Sequence, residues 1–257
     1  MCRFIAYHGK PILMEDLIAS PTRSLIRQSL HAFESRSETN GDGFGIGWYG
    51  ERDTPGMYRE LRPAWSDENL RSLCAQVRSS LFFAHVRAAT DTSISRANCH
   101  PFSSGRSMFM HNGQIGGYQT IRRRLDTMIS EEFYADRLGT TDTEAMFLIA
   151  LSLGLAKDPI GAIETMLTQV LAEMRRAGIE APLRFTAAFT DGNAVWAFRW
   201  ASDGDPASLY FERTAQGLIV ASEPFNEQRD EWIHVPSGNA LIARPGESVE
   251  MPALKVG

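Results

Sequence analysis

A cysteine stands at position 2, directly behind the initiator methionine, in the opening MCRFIAYHGK. Removal of Met1 would leave Cys2 with a free α-amine beside its thiol. Such an amine titrates at about 7.7–8.0, against about 10.4 for a lysine side chain, so it can serve as a base near neutral pH without burial. N-terminal amines activate nucleophiles in this way, which would put nucleophile and base in one residue. Three later segments hold complementary groups. HVRAAT carries Arg87, whose forked guanidinium can grip a carboxylate bidentately. HNG carries Asn112 and Gly113, a side-chain amide next to an approachable backbone N–H, the donor pair an oxyanion requires. TTDTE carries Asp142, which could bind an ammonium. Arg87 and Asp142 would then clamp an amino-acid head group while Asn112 and Gly113 face a carbonyl under attack by Cys2. Each group also has an ordinary structural reading: an ion pair for Arg87, an Asn-Gly turn, and a carboxylate that complements a helix dipole for Asp142. His85, His100 and His111 are the options for a Cys–His pair, or else structural residues at strand ends.

Other chemistries find less support. Gly45, Gly47 and Gly50 match the dinucleotide pattern Gly-x-Gly-x-x-Gly, but the match sits inside a β-prone run, and Pro55 and Gly56 deny the helix that must follow. Those glycines are expected to let a strand pass close to another backbone or to a substrate. No Gly-x-Ser-x-Gly elbow occurs. Cys2, Cys74 and Cys99 form a poor disulfide framework and no CxxC or HExxH spacing occurs, so neither a metal nor another cofactor is expected. A reducing cytoplasm fits this cysteine usage. The net charge of −5 argues against nucleic acid and anionic membranes as partners. IRRRLD reads as the solvated face of a helix. AMFLIALSLGLA falls short of the ~20 residues of a membrane span and reads as a buried helix.

The elements that must position these groups fall into blocks. CRFIAYHG is a β-prone run expected to end at Gly9. TRSLIRQSLHAFES spaces Leu25, Ile26, Leu30 and Phe33 as a helix. GDGFGIGWYG, SLFFAHVRAAT and SMFMHNGQI read as strands, the last closing on an Asn-Gly turn. ERDTPG is a loop tip. The middle is helical: TTDTEAMFLIALSLGLAK opens on a Thr141-x-x-Glu144 capping box, and DPIGAIETMLTQVLAEMRRAG runs from an Asp158 cap to Gly178. LRFTAAFT and AVWAFRW flank an Asp191-Gly192 hairpin turn. SLYFER, GLIVASEP, EWIHVP and NALIARPG continue as strands. Segregated blocks predict an α+β fold, and 257 residues are compatible with one domain over 1–257.

In order, MCRF, NGDGFGIGW, HVRAAT, CHPF, HNG, TTDTE and ASEPF resemble the class II glutamine amidotransferases, which are N-terminal-nucleophile (Ntn) hydrolases. The resemblance spans nearly the whole chain. It implies a four-layer αββα sandwich of two mainly antiparallel sheets flanked by helices, and attack of the N-terminal cysteine on a glutamine side-chain amide. It implies Cys2 as nucleophile with its own amine as base, and Asn112 and Gly113 as oxyanion hole. Arg87 and Thr90 would hold the head group with Asp142 on its ammonium, and His111 is counted among the substrate-binding residues. Two departures stand out. Many members read His-Thr-Arg-Trp-Ala-Thr where this chain has Val86 and Ala88, and the Gly-rich segment is not Arg-Gly-x-Asp-Ser-x-Gly. The latter is closer to the small stand-alone branch, which includes amidohydrolases of γ-glutamyl compounds. No synthase domain is expected after the amidotransferase domain, so released ammonia would pass to a separate synthase, or the chain would hydrolyse a γ-glutamyl metabolite alone. A non-catalytic binding module of the same fold is the remaining alternative.

Overall fold

Period-two alternation of side chains sorts the strands into three buried layers. The computed structural model describes residues 2–34, 39–89, 93–226, 229–244 and 246–257. Its strands are β1 (Arg3–Leu13), β2 (Phe44–Trp48), β3 (Gly56–Glu60), β4 (Arg78–Val86), β5 (Phe102–Ser104), β6 (Ser107–Ile115), β7 (Leu183–Thr190), β8 (Val195–Ala201), β9 (Tyr210–Arg213), β10 (Gly217–Ala221), β11 (Ile233–His234) and β12 (Asn239–Ala243). Among the described residues they form a seven-stranded sheet ordered β11-β9-β10-β1-β4-β2-β3 and a five-stranded sheet ordered β12-β8-β7-β6-β5. The pairings are antiparallel.

Along β1, Phe4 and Ala6 join Leu81, Phe83, Met108, Met110, Ala188 and Ala197 in a core between the sheets. The alternate residues Ile5 and Tyr7 pack outward with Phe44, Ile46, Phe82 and Ala84. Against that outer face lie the short helices α1 (Glu15–Ile18), α2 (Leu25–Leu30) and α3 (Glu68–Cys74). The outer face of the five-stranded sheet is covered by α4 (Tyr118–Asp126), α6 (Asp142–Ser152) and α7 (Pro159–Arg176), with α5 (Glu131–Tyr134) beside α6. Helix α6 is buried nearly all round, as its unbroken apolar run predicts, and Phe147 stacks on Phe109 of β6 with ring centroids 5.3 Å apart. The four-layer αββα order is the one expected.

Several local expectations need correction. Gly9 does not end β1, which continues to Leu13. Gly9 instead permits a close strand approach: a Cβ there would lie 2.3 Å from the Gln216 carbonyl oxygen and 2.5 Å from the Gly217 Cα. Asn112 and Gly113 are not a turn. They sit within β6, opposite Thr186 and Phe185, and the chain turns only at Gly116 and Gly117, where Gly117 has φ +65°. Helix α2 stops at Leu30, and Leu30 and Phe33 are exposed. The reason is tertiary: the Glu223 carboxylate accepts the N–H groups of Phe33 and Glu34 at 3.2 and 2.8 Å and draws the chain away from the helix axis. Half of the capping box forms. Thr141 Oγ1 accepts the Glu144 N–H at 3.2 Å, while the Glu144 carboxylate turns to Arg137 at 2.6 Å. The Asp158 cap and the Asp191-Gly192 hairpin form as expected.

Removing the stacked ring from the interface of α6 and β6 should cost about 3–5 kcal/mol. Urea denaturation of Phe147→Ala checks this, and a loss below about 1 kcal/mol would show that α6 does not depend on that contact.

Candidate active site

Alternation and register bring the chemical groups to one end of the inter-sheet layer. On β1 the even residues Phe4 and Ala6 face the other sheet, and Cys2 continues that set. On β4 the matching set is Leu81 and Phe83, extended by His85 and Arg87; on β6 it is Met108 and Met110, extended by Asn112. Phe4 pairs with His85 and Arg3 with Val86, so the register brings Cys2 level with Arg87. A cavity of about 230 Å³ opens there, lined among others by Cys2, Arg87, Gly113, Gln114, Tyr118 and Asp142.

The thiol of Cys2 meets the backbone of one residue, Ala88. Its Sγ lies 3.6 Å from the Ala88 carbonyl oxygen and 3.5 Å from the Ala88 nitrogen. A thiol can donate to that carbonyl and a thiolate can accept from that N–H, so one residue serves both protonation states. Burial raises the thiol pKa, opposed by the Ala88 N–H and by the charges of Arg87 and Arg3. Arg3 is fully buried, donates from Nη1 to the Cys2 carbonyl at 3.1 Å and lies 3.5 Å from Glu223. Through Glu223 it joins the backbone of Phe33 and Glu34 to that of Cys2. Sequence reasoning missed Arg3 and Glu223, although both lie in the motifs MCRF and ASEPF.

Asn112 is 1% exposed, and its Nδ2 has no hydrogen-bond partner among the described residues. A buried donor left unsatisfied costs about 1–3 kcal/mol, and such orphans mark positions completed by a ligand or water. At Gly113 a side chain is excluded: a Cβ would lie 2.0 Å from the Arg184 carbonyl oxygen and 2.5 Å from the His111 ring. His111 lines the cavity, but its nitrogens are engaged, Nε2 with the Arg184 carbonyl at 3.0 Å and Nδ1 with the Thr143 hydroxyl at 2.9 Å. Because a carbonyl only accepts, Nε2 carries the proton and Nδ1 accepts from Thr143. In this state His111 is a wall and a brace.

Arg87 is 3% exposed and donates to the Asp42 and Ser93 carbonyls at 3.5 and 3.4 Å. Its segment is tied to the Gly-rich loop. The Asp42 N–H donates to the Arg87 carbonyl at 3.0 Å, the Arg87 N–H to the Gly43 carbonyl at 2.9 Å, and the Ala89 N–H to the Asp42 carboxylate at 2.8 Å. Asp42 is thus a further residue of the site, and the NGDG quartet is the sequence signal for it. Asp142 accepts the N–H groups of Ile115 and Thr143, each at 2.8 Å, at the N-terminus of α6. A carboxylate has about four acceptor positions, so capacity remains for an ammonium. Met1 and Thr90 lie outside the described residues. Among the described residues no group of three His, Cys, Asp or Glu is arranged to hold a metal.

His100 also lines the cavity, and His85 stands against both it and His111. His85 Nε2 stands 3.3 Å from the His111 carbonyl and 2.8 Å from His100 Nδ1. The carbonyl assigns the proton to His85 Nε2, and His85 Nδ1 has no partner among the described residues. Burial is the leading cause that lowers the pKa of all three histidines, that of His85 to about 3. The unfolded chain binds protons near 6.5 that the fold refuses, so stability should fall as pH drops from about 6.5 toward about 3. Each histidine contributes at most about 1.4 kcal/mol per pH unit over its own window. Urea midpoints from about pH 7 to about pH 4 measure the slope, and His85→Asn should flatten it; a level profile in the parent chain would contradict neutral burial.

Known proteins resemble this chain in sequence and in fold. Residues 16–204 match the family described as glutamine amidotransferases class-II. The probable glutamine amidotransferase DUG3 of Saccharomyces cerevisiae is 32% identical over 95% of this chain and 82% of its own length. The gamma-glutamyl-hercynylcysteine sulfoxide hydrolase of Mycolicibacterium smegmatis is 28% identical over 98% of this chain and 100% of its own. Among solved structures, a glutamine aminotransferase class-II domain protein from Silicibacter pomeroyi superposes with a TM-score of 0.80 at 37% identity, covering 99% of this chain and 100% of that one. Glutamine phosphoribosylpyrophosphate amidotransferase from B. subtilis shares the fold, with a TM-score of 0.66 at 15% identity over 100% of this chain and 50% of its own. No helix among the described residues is long and apolar enough to cross a membrane. The chain belongs to the class II glutamine amidotransferases.

Proposed function

We propose that the chain cleaves the γ-amide of glutamine or of a γ-glutamyl compound through a thioester on Cys2. The observation that carries this reading is the single cavity lined by Cys2, Arg87, Gly113 and Asp142, with the unpaired Asn112 amide buried beside it. With Met1 removed, the α-amine of Cys2 takes the thiol proton, and sulfur attacks the γ-carbonyl carbon. The oxyanion that forms accepts hydrogen bonds from Asn112 Nδ2 and the Gly113 N–H. The ammonium returns its proton to the departing nitrogen, the C–N bond breaks, and ammonia or an amine leaves. Water then adds to the thioester carbonyl, the C–S bond breaks, and glutamate is released with the thiol restored. Arg87, together with Thr90, receives the α-carboxylate, Asp142 receives the α-ammonium, and His111 braces the strand that bears Asn112.

Two end uses follow: ammonia passes to a separate synthase, or the chain hydrolyses a γ-glutamyl metabolite by itself. The second is favoured by the full-length likeness to the mycobacterial relative, whose name states hydrolysis of a γ-glutamyl compound. Intact mass should show a chain beginning at Cys2. Glutamate release should vanish in Cys2→Ala and fall by about 10²–10³ in kcat for Asn112→Ala, with KM nearly unchanged. Near-parental turnover by either variant would end the assignment, and a retained Met1 without turnover would leave a binding module. Turnover of one γ-glutamyl amide far above that of glutamine selects the stand-alone hydrolase; co-purification with a synthase selects the other.

A further inference from the structure

Asn98 stands between the two halves of the proposed head-group clamp. It closes a single helical turn, Arg96–Asn98, and is fully buried. Its Oδ1 accepts the Thr140 N–H at 2.7 Å. Its Nδ2 donates to the Ser93 carbonyl at 2.8 Å and reaches the hydroxyls of Thr140 and Ser93 at 2.9 and 3.2 Å. The same Ser93 carbonyl accepts from Arg87 Nη2 at 3.4 Å. On the other side, Thr140 precedes Thr141, the N-cap of α6, and then Asp142 itself. Hydrogen bonds therefore run from Arg87 through Ser93 and Asn98 to Thr140, and the chain itself continues two residues on to Asp142. The two segments approach too closely for a side chain: a Cβ on Gly139 would lie 2.5 Å from Asn98 Oδ1 and 2.7 Å from the Ala97 carbonyl oxygen.

We propose that Asn98 is a positioning residue that sets the separation between the Arg87 guanidinium and the Asp142 carboxylate, and so selects substrates that end in a free α-amino acid. It rests on the reading that those two groups receive the head group. The contacts require an amide. Aspartate would point an acceptor at the Ser93 carbonyl, and an apolar isostere would strand the Thr140 N–H and the Ser93 carbonyl. Because recognition of both charged ends is directional, a small shift of one anchor weakens the pair, and binding suffers before chemistry does.

The test compares two reagents that need Cys2 in different ways. The diazomethyl-ketone analogue of glutamine needs both the thiol and the head-group clamp, whereas iodoacetamide needs the thiol alone. Asn98→Asp should slow inactivation by the analogue about tenfold, leave the iodoacetamide rate within about twofold, and raise KM for glutamate release more than it lowers kcat. Thr140→Val removes one acceptor from a partly exposed residue and should move the same ratio by about threefold. If Asn98→Asp fails to give a folded circular dichroism spectrum, Thr140→Val decides alone. Arg87→Lys separates the two ideas. If it loses selectivity for the analogue while the folded Asn98 and Thr140 variants keep it, the role of Asn98 is overturned and the clamp stands. If it too keeps full selectivity, the clamp reading itself fails. A parallel fall of both inactivation rates in the Asn98 variant reduces Asn98 to a fold support and overturns the proposal.

Discussion

The antiparallel pairing of β1 with β4 is the constraint on which the site depends. It sets Phe4 against His85 and Arg3 against Val86, and so carries Cys2 to Arg87 and to the Ala88 peptide. Because side chains alternate with period two, a slip of one residue would turn Cys2 to the opposite face of the sheet and expose Phe4 and Ala6 to the wrong layer. The apolar residues of β1 thus lock the register, and the register aims the thiol. No local preference of the first few residues could do this.

Around that register the protein buries several charged and polar side chains. Arg3 and Glu223 form an ion pair in which both side chains are almost wholly withdrawn from water. Such pairs add little to net stability against an apolar replacement, but losing one partner costs about 3–5 kcal/mol. Their geometry gives them another consequence. Glu223 holds the backbone after α2 while Arg3 holds the Cys2 carbonyl, so the loop and Cys2 share one anchor. The neutral histidines at the cavity wall work by a similar logic. Imidazoles that keep their uncharged form can brace carbonyls and hydroxyls without adding positive charge to the cavity wall.

Glycine supplies the rest of the precision. At Gly113 and Gly139 the missing side chain admits a carbonyl or an amide oxygen to distances no Cβ would tolerate. Read as punctuation, such glycines suggest turns, and that is how Asn112-Gly113 and Gly9 first read. Both proved to lie within strands, because tertiary approach and not local bending required them. The long helices were legible for the converse reason. Their apolar periodicity and the Thr141 and Asp158 caps are local signals, and local signals survive into the fold.

The sequence by itself determined the α+β class, the caps, the hairpin at Asp191-Gly192 and, through the ordered motifs, the family. These depend on residue type and short spacing, which a chain displays without folding. Only the tertiary structure decided that Cys2, Arg87, Gly113 and Asp142 line one cavity, that Asn112 next to Gly113 keeps a buried donor unpaired among the described residues, and that Asp42, Asn98, Arg3 and Glu223 are bonded to the segments around it. Those contacts join residues up to two hundred and more positions apart, through sheet register and burial. The energy that fixes such contacts comes from excluding water from the whole core, and that term is distributed over the chain and written in no single stretch of it.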